Sequence, residues 1–297
     1  NNNAPLRWAA WNGHIETVKL LLERGADIHA DEEWALRWAT EHGRAETTKL
    51  LLECGKYEKK NKKLALLALC AIGETEKVKQ LLNDGVDVHT KDYWGRPDAA
   101  LRLAARHGQT STVKLLLERG ANIHAGNDDG PDAALRSAGK RGHKETAKLI
   151  LERGNYEQNN PETALITYGA LGITEKVEEM LDRGADIHAE DADGPEATLY
   201  HAASNGHTET VKLLLERGAD MLADGNAALL GAIKEKQNKI IKLLVGKYPT
   251  KLLKELKTMP KIAESLKDAL PAIEKELNRR LVRSVIKHQK RNPGMEM

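Results

Sequence analysis

An all-α solenoid is the fold class this sequence predicts, and three observations carry the prediction. A leucine recurs eight times, at Leu6, Leu36, Leu66, Leu101, Leu135, Leu165, Leu199 and Leu229. Nineteen residues after each of the first seven stands a glycine, from Gly25 to Gly218, with Tyr248 at that place in the eighth. The connectors from each glycine to the next leucine run 11, 11, 16, 15, 11, 15 and 11 residues, so the period varies from 30 to 35. A constant block on variable connectors is the pattern of stacked units, each burying its apolar face only against its neighbours. Function is then expected on a surface rather than in a pocket.

Each block reads as two helices. In the first, Leu6, Ala9 and Ala10 share a face, Gly13 interrupts, and Ile15, Val18, Leu21 and Leu22 form the stripe of a second helix. The same offsets give Val78, Leu81 and Leu82 in repeat 3, Val113, Leu116 and Leu117 in repeat 4, and Ile241, Leu244 and Val245 in repeat 8. Gly25 and its equivalents suit a left-handed residue closing the second helix. Before repeats 4, 5 and 7, Pro97, Pro131 and Pro195 stand four residues ahead of the leucine and are followed by Asp98, Asp132 and Glu196. Proline fits the first helical position and an acid suits the helix N-terminus, so these helices are expected to start a turn early.

Composition fits this reading: 40% of residues are hydrophobic, 30% are charged, phenylalanine is absent, and no apolar run approaches membrane-spanning length. Nothing resembles a signal peptide, and Cys54 and Cys70 fall in repeat helices, so free thiols in a reducing compartment are expected.

The block Pro5-Leu6-Arg7-Trp8-Ala9-Ala10, Gly13-His14, Val18-Lys19-Leu20-Leu21-Leu22 and Gly25-Ala26-Asp27-Ile28-His29-Ala30 resembles the ankyrin repeat, recurring in phase over about residues 4 to 248. Arg7, Arg37, Arg102 and Arg136 replace the histidine usual after the leucine, and His29, His89, His124 and His188 replace the usual asparagine. The short repeat form resembles ankyrin proteins of giant viruses and, less closely, of intracellular bacteria. The fold is thus an ankyrin-repeat solenoid of about eight helix-turn-helix units, in an array at 1–248. A longer period overlies the short one: residues 54 to 89 parallel residues 153 to 188 at an offset of 99, giving blocks of three repeats.

The resemblance implies protein binding through a concave face and protruding finger loops. Carried over, the helix positions are Trp11, Asn12, Glu41, His42, Arg106, His107, Lys140, Arg141, Ser204 and Asn205. The longer fingers centre on Asp92-Tyr93-Trp94, Asp128-Asp129 and Asp191-Ala192-Asp193. Trp8, Trp11, Trp34 and Trp38 crowd into the first two repeats, and tryptophan and arginine are typical hot-spot residues. They make either a contact surface or a cover for an end left bare by a missing repeat. Seven of eleven histidines recur at fixed repeat positions, so they do a repeated local job rather than converge on a metal. No phosphate loop, nucleophile elbow or paired cysteines appear, so no catalysis, cofactor or metal is expected.

Residues 249–297 carry 12 Lys+Arg against 6 Asp+Glu, leaving 34 against 38 in the array. Pro249, Pro260 and Pro271 divide this tail into three expected helices, read as a C-terminal cap. The alternative gives Arg279, Arg280, Arg283, Lys287, Lys290 and Arg291 an acidic partner such as ubiquitin-ligase machinery, nucleic acid, or nuclear import. Interleaved aromatics are missing, which counts against nucleic acid. The expectation is a monomeric, cytoplasmic, non-enzymatic scaffold for a folded partner protein, in a viral or bacterial setting acting on the host.

Overall fold

The structure is a computed structural model that describes residues 3–126 and 132–251, together with 271, 274–276 and 278–279. It divides into two compact halves, Asn1–Asn159 and Asn160–Met297. The first half holds α1 (Ala4–Asn12) and α2 (Ile15–Glu23) of repeat 1, then α3 (Ala30–Glu41) and α4 (Ala45–Gly55) of repeat 2. A short α5 (Tyr57–Lys60) leads to α6 (Lys62–Ile72) and α7 (Thr75–Asn83) of repeat 3, then α8 (Ala99–Arg106) and α9 (Thr110–Glu118) of repeat 4. Repeat 5 supplies α10 (Ala133–Lys140), α11 (Lys144–Arg153) and the short α12 (Tyr156–Asn159). The second half holds α13 (Pro161–Leu171) and α14 (Thr174–Asp182), α15 (Ala197–Ser204) and α16 (Thr208–Glu216), and α17 (Ala223–Lys234) and α18 (Asn238–Lys247). Among the described residues the extended pairing is a single bridge, Asp191 to Gly194.

Stacking is sequential, as the phase requires. Each first helix packs on the next: α1 on α3, α3 on α6, α6 on α8 and α8 on α10, and in the second half α13 on α15 and α15 on α17. All eight phase-setting leucines are at most 1% exposed. The residue twelve further on is buried every time: Val18, Thr48, Val78, Val113, Ala147, Val177, Val211 and Ile241. Threonine pairs stitch neighbouring second helices, with Thr75 to Thr112 at 2.7 Å, Thr110 to Thr146 at 2.7 Å and Thr174 to Thr210 at 2.8 Å. Leu116 is fully buried, and Leu116→Ala is expected to cost about 3 kcal/mol by opening a cavity between repeats, read as a drop in the urea midpoint. A negligible loss would remove it from the core.

Two expectations about helix ends need correction. Pro97 and Pro195 do not open helices: α8 starts at Ala99 and α15 at Ala197, each after an acid in the left-handed region, Asp98 at φ 46° and Glu196 at φ 55°. The acid stands at the N-cap, but its side chain makes no cap hydrogen bond to the helix. It serves hydrogen bonds that a regular first turn would not allow, described next. Gly55 and Gly154, moreover, are not left-handed; Lys56 and Asn155 take that conformation at φ 53°. Glycine is needed for space instead, because a Cβ on Gly55 would meet the Tyr57 ring at 2.2 Å and one on Gly154 the Tyr156 ring at 2.3 Å.

The three-repeat period has a hydrogen-bond basis. Three residues before the leucine, repeats 1, 4 and 7 carry Asn3, Asp98 and Glu196, whose side chains accept the backbone N–H of Asp27 (3.2 Å), Asn122 (2.8 Å) and Asp220 (3.0 Å) in the following connector. Repeats 2, 5 and 8 carry Glu33, Asp132 and Asn226 there, and each accepts instead from a buried tyrosine hydroxyl: Tyr57, Tyr156 at 2.6 Å and Tyr248 at 2.9 Å. Those tyrosines also donate toward the carbonyls of Ile28, Ile123 and Met221. Repeats 3 and 6 have no finger. Their first helices are capped by the Asn61 and Asn160 side chains, which accept from Leu64 and Thr163 N–H.

Candidate functional site

The first helices and the turns before them carry the predicted docking residues. The fingers are built by the residues read from sequence. Before repeat 4, the Asp92 carboxylate accepts the backbone N–H groups of Trp94 and Arg96 at 3.0 Å and the Arg96 guanidinium at 2.6 Å, fixing a tight turn with Tyr93 and Trp94 at its tip. Before repeat 7, Asp191 accepts the N–H of Asp193 at 2.8 Å, and Ala197 N–H closes on Ala189 O at 3.0 Å. Asp128 and Asp129 lie outside the described residues.

The tryptophans form one continuous ladder. Trp8 and Trp11 stack with ring centres 4.9 Å apart and planes 8° apart, and Trp11 stacks on Trp38 of the next repeat at 4.8 Å and 8°. Trp38 continues to Trp34 at 5.4 Å, and Trp34 meets Tyr93 at 5.4 Å and Trp94 at 6.2 Å on the finger. His42 lies against both Trp11 (5.0 Å) and Trp38 (5.2 Å). Arg37 covers Tyr93 and Arg96 covers Trp94, with guanidinium carbons 4.9 and 4.5 Å from the ring centres. The ladder stays open to solvent: Trp8 is 58% exposed, Trp94 46% and Tyr93 43%.

At Glu41, next to His42, the ladder meets a charged cluster. Arg102 and Arg106 of repeat 4 reach Glu41 of repeat 2, each with its nearest contact at 3.2 Å, passing over repeat 3. Arg102 also holds Asp92 at 3.0 Å, tying the finger to the helices. Burial raises the Glu41 pKa, but the two arginines outweigh it and hold the carboxyl below its usual value. Burial, with Arg106 beside it, pushes His107 down to about 4, so its ring is neutral at physiological pH. This ring packs against Gly43.

The other predicted positions are less concentrated. Asn12 is exposed and donates to Trp8 O at 2.8 Å. Lys140 is half-buried at the end of α10, and Arg141 is exposed just beyond it. Ser204 and Asn205 belong to the second half, and Asn205 already donates to Ala170 O at 2.7 Å. Sequence reading names Asp92 as a finger residue but misses Arg102 and Arg96 as organisers of the face. The signal for Arg102 is an arginine directly after the leucine.

The recurring histidines do have local jobs. His29, His89 and His124 place Nδ1 3.0, 3.0 and 2.9 Å from Glu33, Asp98 and Asp132, and His188 pairs with Glu196 in the same way. His143 and His207 point Nε2 at Arg106 O and Ala170 O, both at 3.0 Å, joining one repeat to the next. Asp191, Asp193 and His201 lie close enough to share an ion. Their proximity is accounted for by His201 Nε2 bonding Asp191 at 2.9 Å, which ties that finger down as Arg102 ties the earlier one.

Stacked helical hairpins with an open face of aromatic and charged side chains define a repeat scaffold, a class that works by surface recognition. The chain belongs to the ankyrin repeat family: the family model for ankyrin repeats (3 copies) matches residues 6–92, 101–191 and 170–254. Ankyrin repeats are generally protein–protein interaction modules. Among solved structures the chain is similar to the human ASB11 ankyrin repeat domain, at 22% identity and a TM-score of 0.42, covering 83% of this chain and 99% of that one. No curated protein matches it. No helix among the described residues is long and apolar enough to cross a membrane.

Proposed function

We propose that this chain is a non-enzymatic scaffold that binds a partner protein through the face of its first helices and finger turns. The exposed ladder from Trp8 to Trp94 carries the reading. It runs across the first helices of repeats 1 and 2 and onto the finger of repeat 4, an extent that supports a contact strip over an end cover. An exposed aromatic strip is costly in water unless something covers it. Of the predicted docking residues outside the ladder, Arg106, Lys140 and Arg141 add positive charge within the first half. The monomeric, cytoplasmic character and the host-directed adaptor role are the finer part of the same proposal, resting on the viral and bacterial resemblance of the short repeats.

Residues 249–297 serve as a cap in this reading. Lys275, Glu276 and Arg279 line one depression with Lys242 and Val245 of α18, which supports a tail folded onto the last repeat. Glu276 accepts from Arg279 at 2.8 Å. Arg280, Arg283, Lys287, Lys290 and Arg291 lie outside the described residues.

Trp11→Ala with Trp38→Ala tests the docking face. Affinity capture with the full chain should recover a stoichiometric protein, lost by about tenfold or more in the double variant while the melting temperature stays near that of the parent. Collapse of the first repeats with no separate binding defect would make the ladder structural.

A further inference from the structure

We propose that the docking face of the first half takes an extended acidic peptide segment, with carboxylates received by Arg106 and Arg141 and by the indole edges of the tryptophan ladder. This rests on the docking-face reading and names the chemistry of its partner.

The argument starts from unspent donors. Arg106 has Glu41 as its acceptor and its Nε is buried with none; the Nε of Arg102, whose side chain is 3% exposed, is buried without a partner as well. Arg141 is exposed and has no ion-pair partner among the described residues. Charge is out of balance too. Arg102 and Arg106 meet on Glu41, Arg96 and Arg102 meet on Asp92, and Arg141 closes α10, which packs on α8; after burial itself, Arg141, Arg102 and Arg96 disfavour the charged form of Arg106 while Glu41 favours it. Four guanidiniums thus share a site with two carboxylates, Glu41 and Asp92, and an added carboxylate relieves the excess.

The ladder supplies the rest. Trp11 is sandwiched between Trp8 and Trp38, so its faces are occupied and its edge is what a ligand meets. Ring edges are the positive rim of the aromatic quadrupole, and an edge oxygen is its natural partner. No indole N–H in the five tryptophans donates to a protein acceptor among the described residues. Ladder and arginines are contiguous at Glu41-His42 and again where Arg96 lies over Trp94. A segment alternating apolar and acidic side chains matches both halves of this surface. A nucleic acid matches it less well, because bases need open ring faces and both faces of Trp11 are occupied.

The test uses the full chain and its native tryptophan fluorescence, with three probes: a peptide of about twelve residues alternating Leu and Glu, the same peptide with Gln for Glu, and an oligothymidylate of similar length. The acidic peptide should bind and weaken steeply with added salt, and the Gln peptide should bind at least about tenfold more weakly. Arg106→Gln with Arg141→Gln should lower acidic-peptide affinity by about tenfold or more. Because Arg106 is part of a packed cluster, Arg141→Glu alone provides a surface variant that leaves folding intact and should still weaken binding. Equal binding of the Gln peptide, still abolished by Trp11→Ala with Trp38→Ala, overturns the acidic specificity while leaving the docking face standing. Stronger binding of the oligonucleotide, no binding of either peptide, or unchanged affinity in both arginine variants also overturns the proposal.

Discussion

Tyr156→Ala should destabilise the protein by about 3 to 5 kcal/mol, among the largest losses available to a single substitution in the array. The ring is fully buried in repeat 5. Its hydroxyl donates to Asp132 at 2.6 Å and toward Ile123 O at 3.4 Å, so the residue secures the base of a finger whose Asp132 is itself held left-handed at φ 56°. Burial, and then the bond to Asp132, raise the phenol pKa, so it remains a donor through the ordinary pH range. Tyr156→Phe removes that donor alone and should cost about 1 to 2 kcal/mol, since His124 still serves Asp132 at 2.9 Å.

A double-mutant cycle makes the account specific. Gly154 has a helical φ of −89°, so alanine there is harmful mainly through the ring it would strike at 2.3 Å, its other near neighbour being Ile150 O at 3.2 Å. Gly154→Ala should therefore be destabilising in the parent and nearly neutral in a Tyr156→Ala background. Additive losses, measured by urea denaturation followed by far-ultraviolet circular dichroism, would show that the glycine serves its backbone instead. Gly25 is the contrasting case: nothing lies within 4 Å of an added Cβ, but its φ of 85° makes alanine strained.

How much of this was legible depended on whether the cause was local. The helix pairs, the buried leucines and the left-handed Gly25, Gly85 and Gly120 follow from periodicity, because each is enforced within its own repeat or by the adjacent one. Tyr57 and Tyr156 were visible as an echo at an offset of 99, but their work, replacing the next finger's N–H, needs three-dimensional proximity. The proposed docking face was half legible. Tryptophan spacing pointed to the ladder, whereas the Glu41 cluster joins repeats 2 and 4 and escapes any nearest-neighbour reading. One trace of it was present: Leu64 to Ala71 in α6 are all buried, an uninterrupted run that an amphipathic repeat helix does not need. Repeat 3 is covered on the side where a first helix would ordinarily be open, and Ala71, at the register of Glu41 and Arg106, is small enough to let their side chains meet above it.

Glu41→Gln removes the negative charge that lets two guanidiniums sit together, and should cost about 3 to 5 kcal/mol. Arg102 is 3% exposed and Glu41 14%, so the charge left behind has little water to turn to. Removing the opposite partner should be milder: Arg102→Met leaves Glu41 with Arg106 at 3.2 Å and Asp92 with Arg96 at 2.6 Å. Combining the two substitutions should recover part of the loss, because the apolar side chain no longer presents an unpaired charge. The pH dependence follows in sign. The Glu41 pKa is lower folded than unfolded, so its contribution is complete above the usual 4.5 and disappears as acid titrates the folded carboxyl. The parent should lose stability on acidification below about that value, and Glu41→Gln should lack this component. Equal acid sensitivity in the two proteins would place the titrating carboxylate elsewhere and leave the pairing across repeat 3 energetically idle.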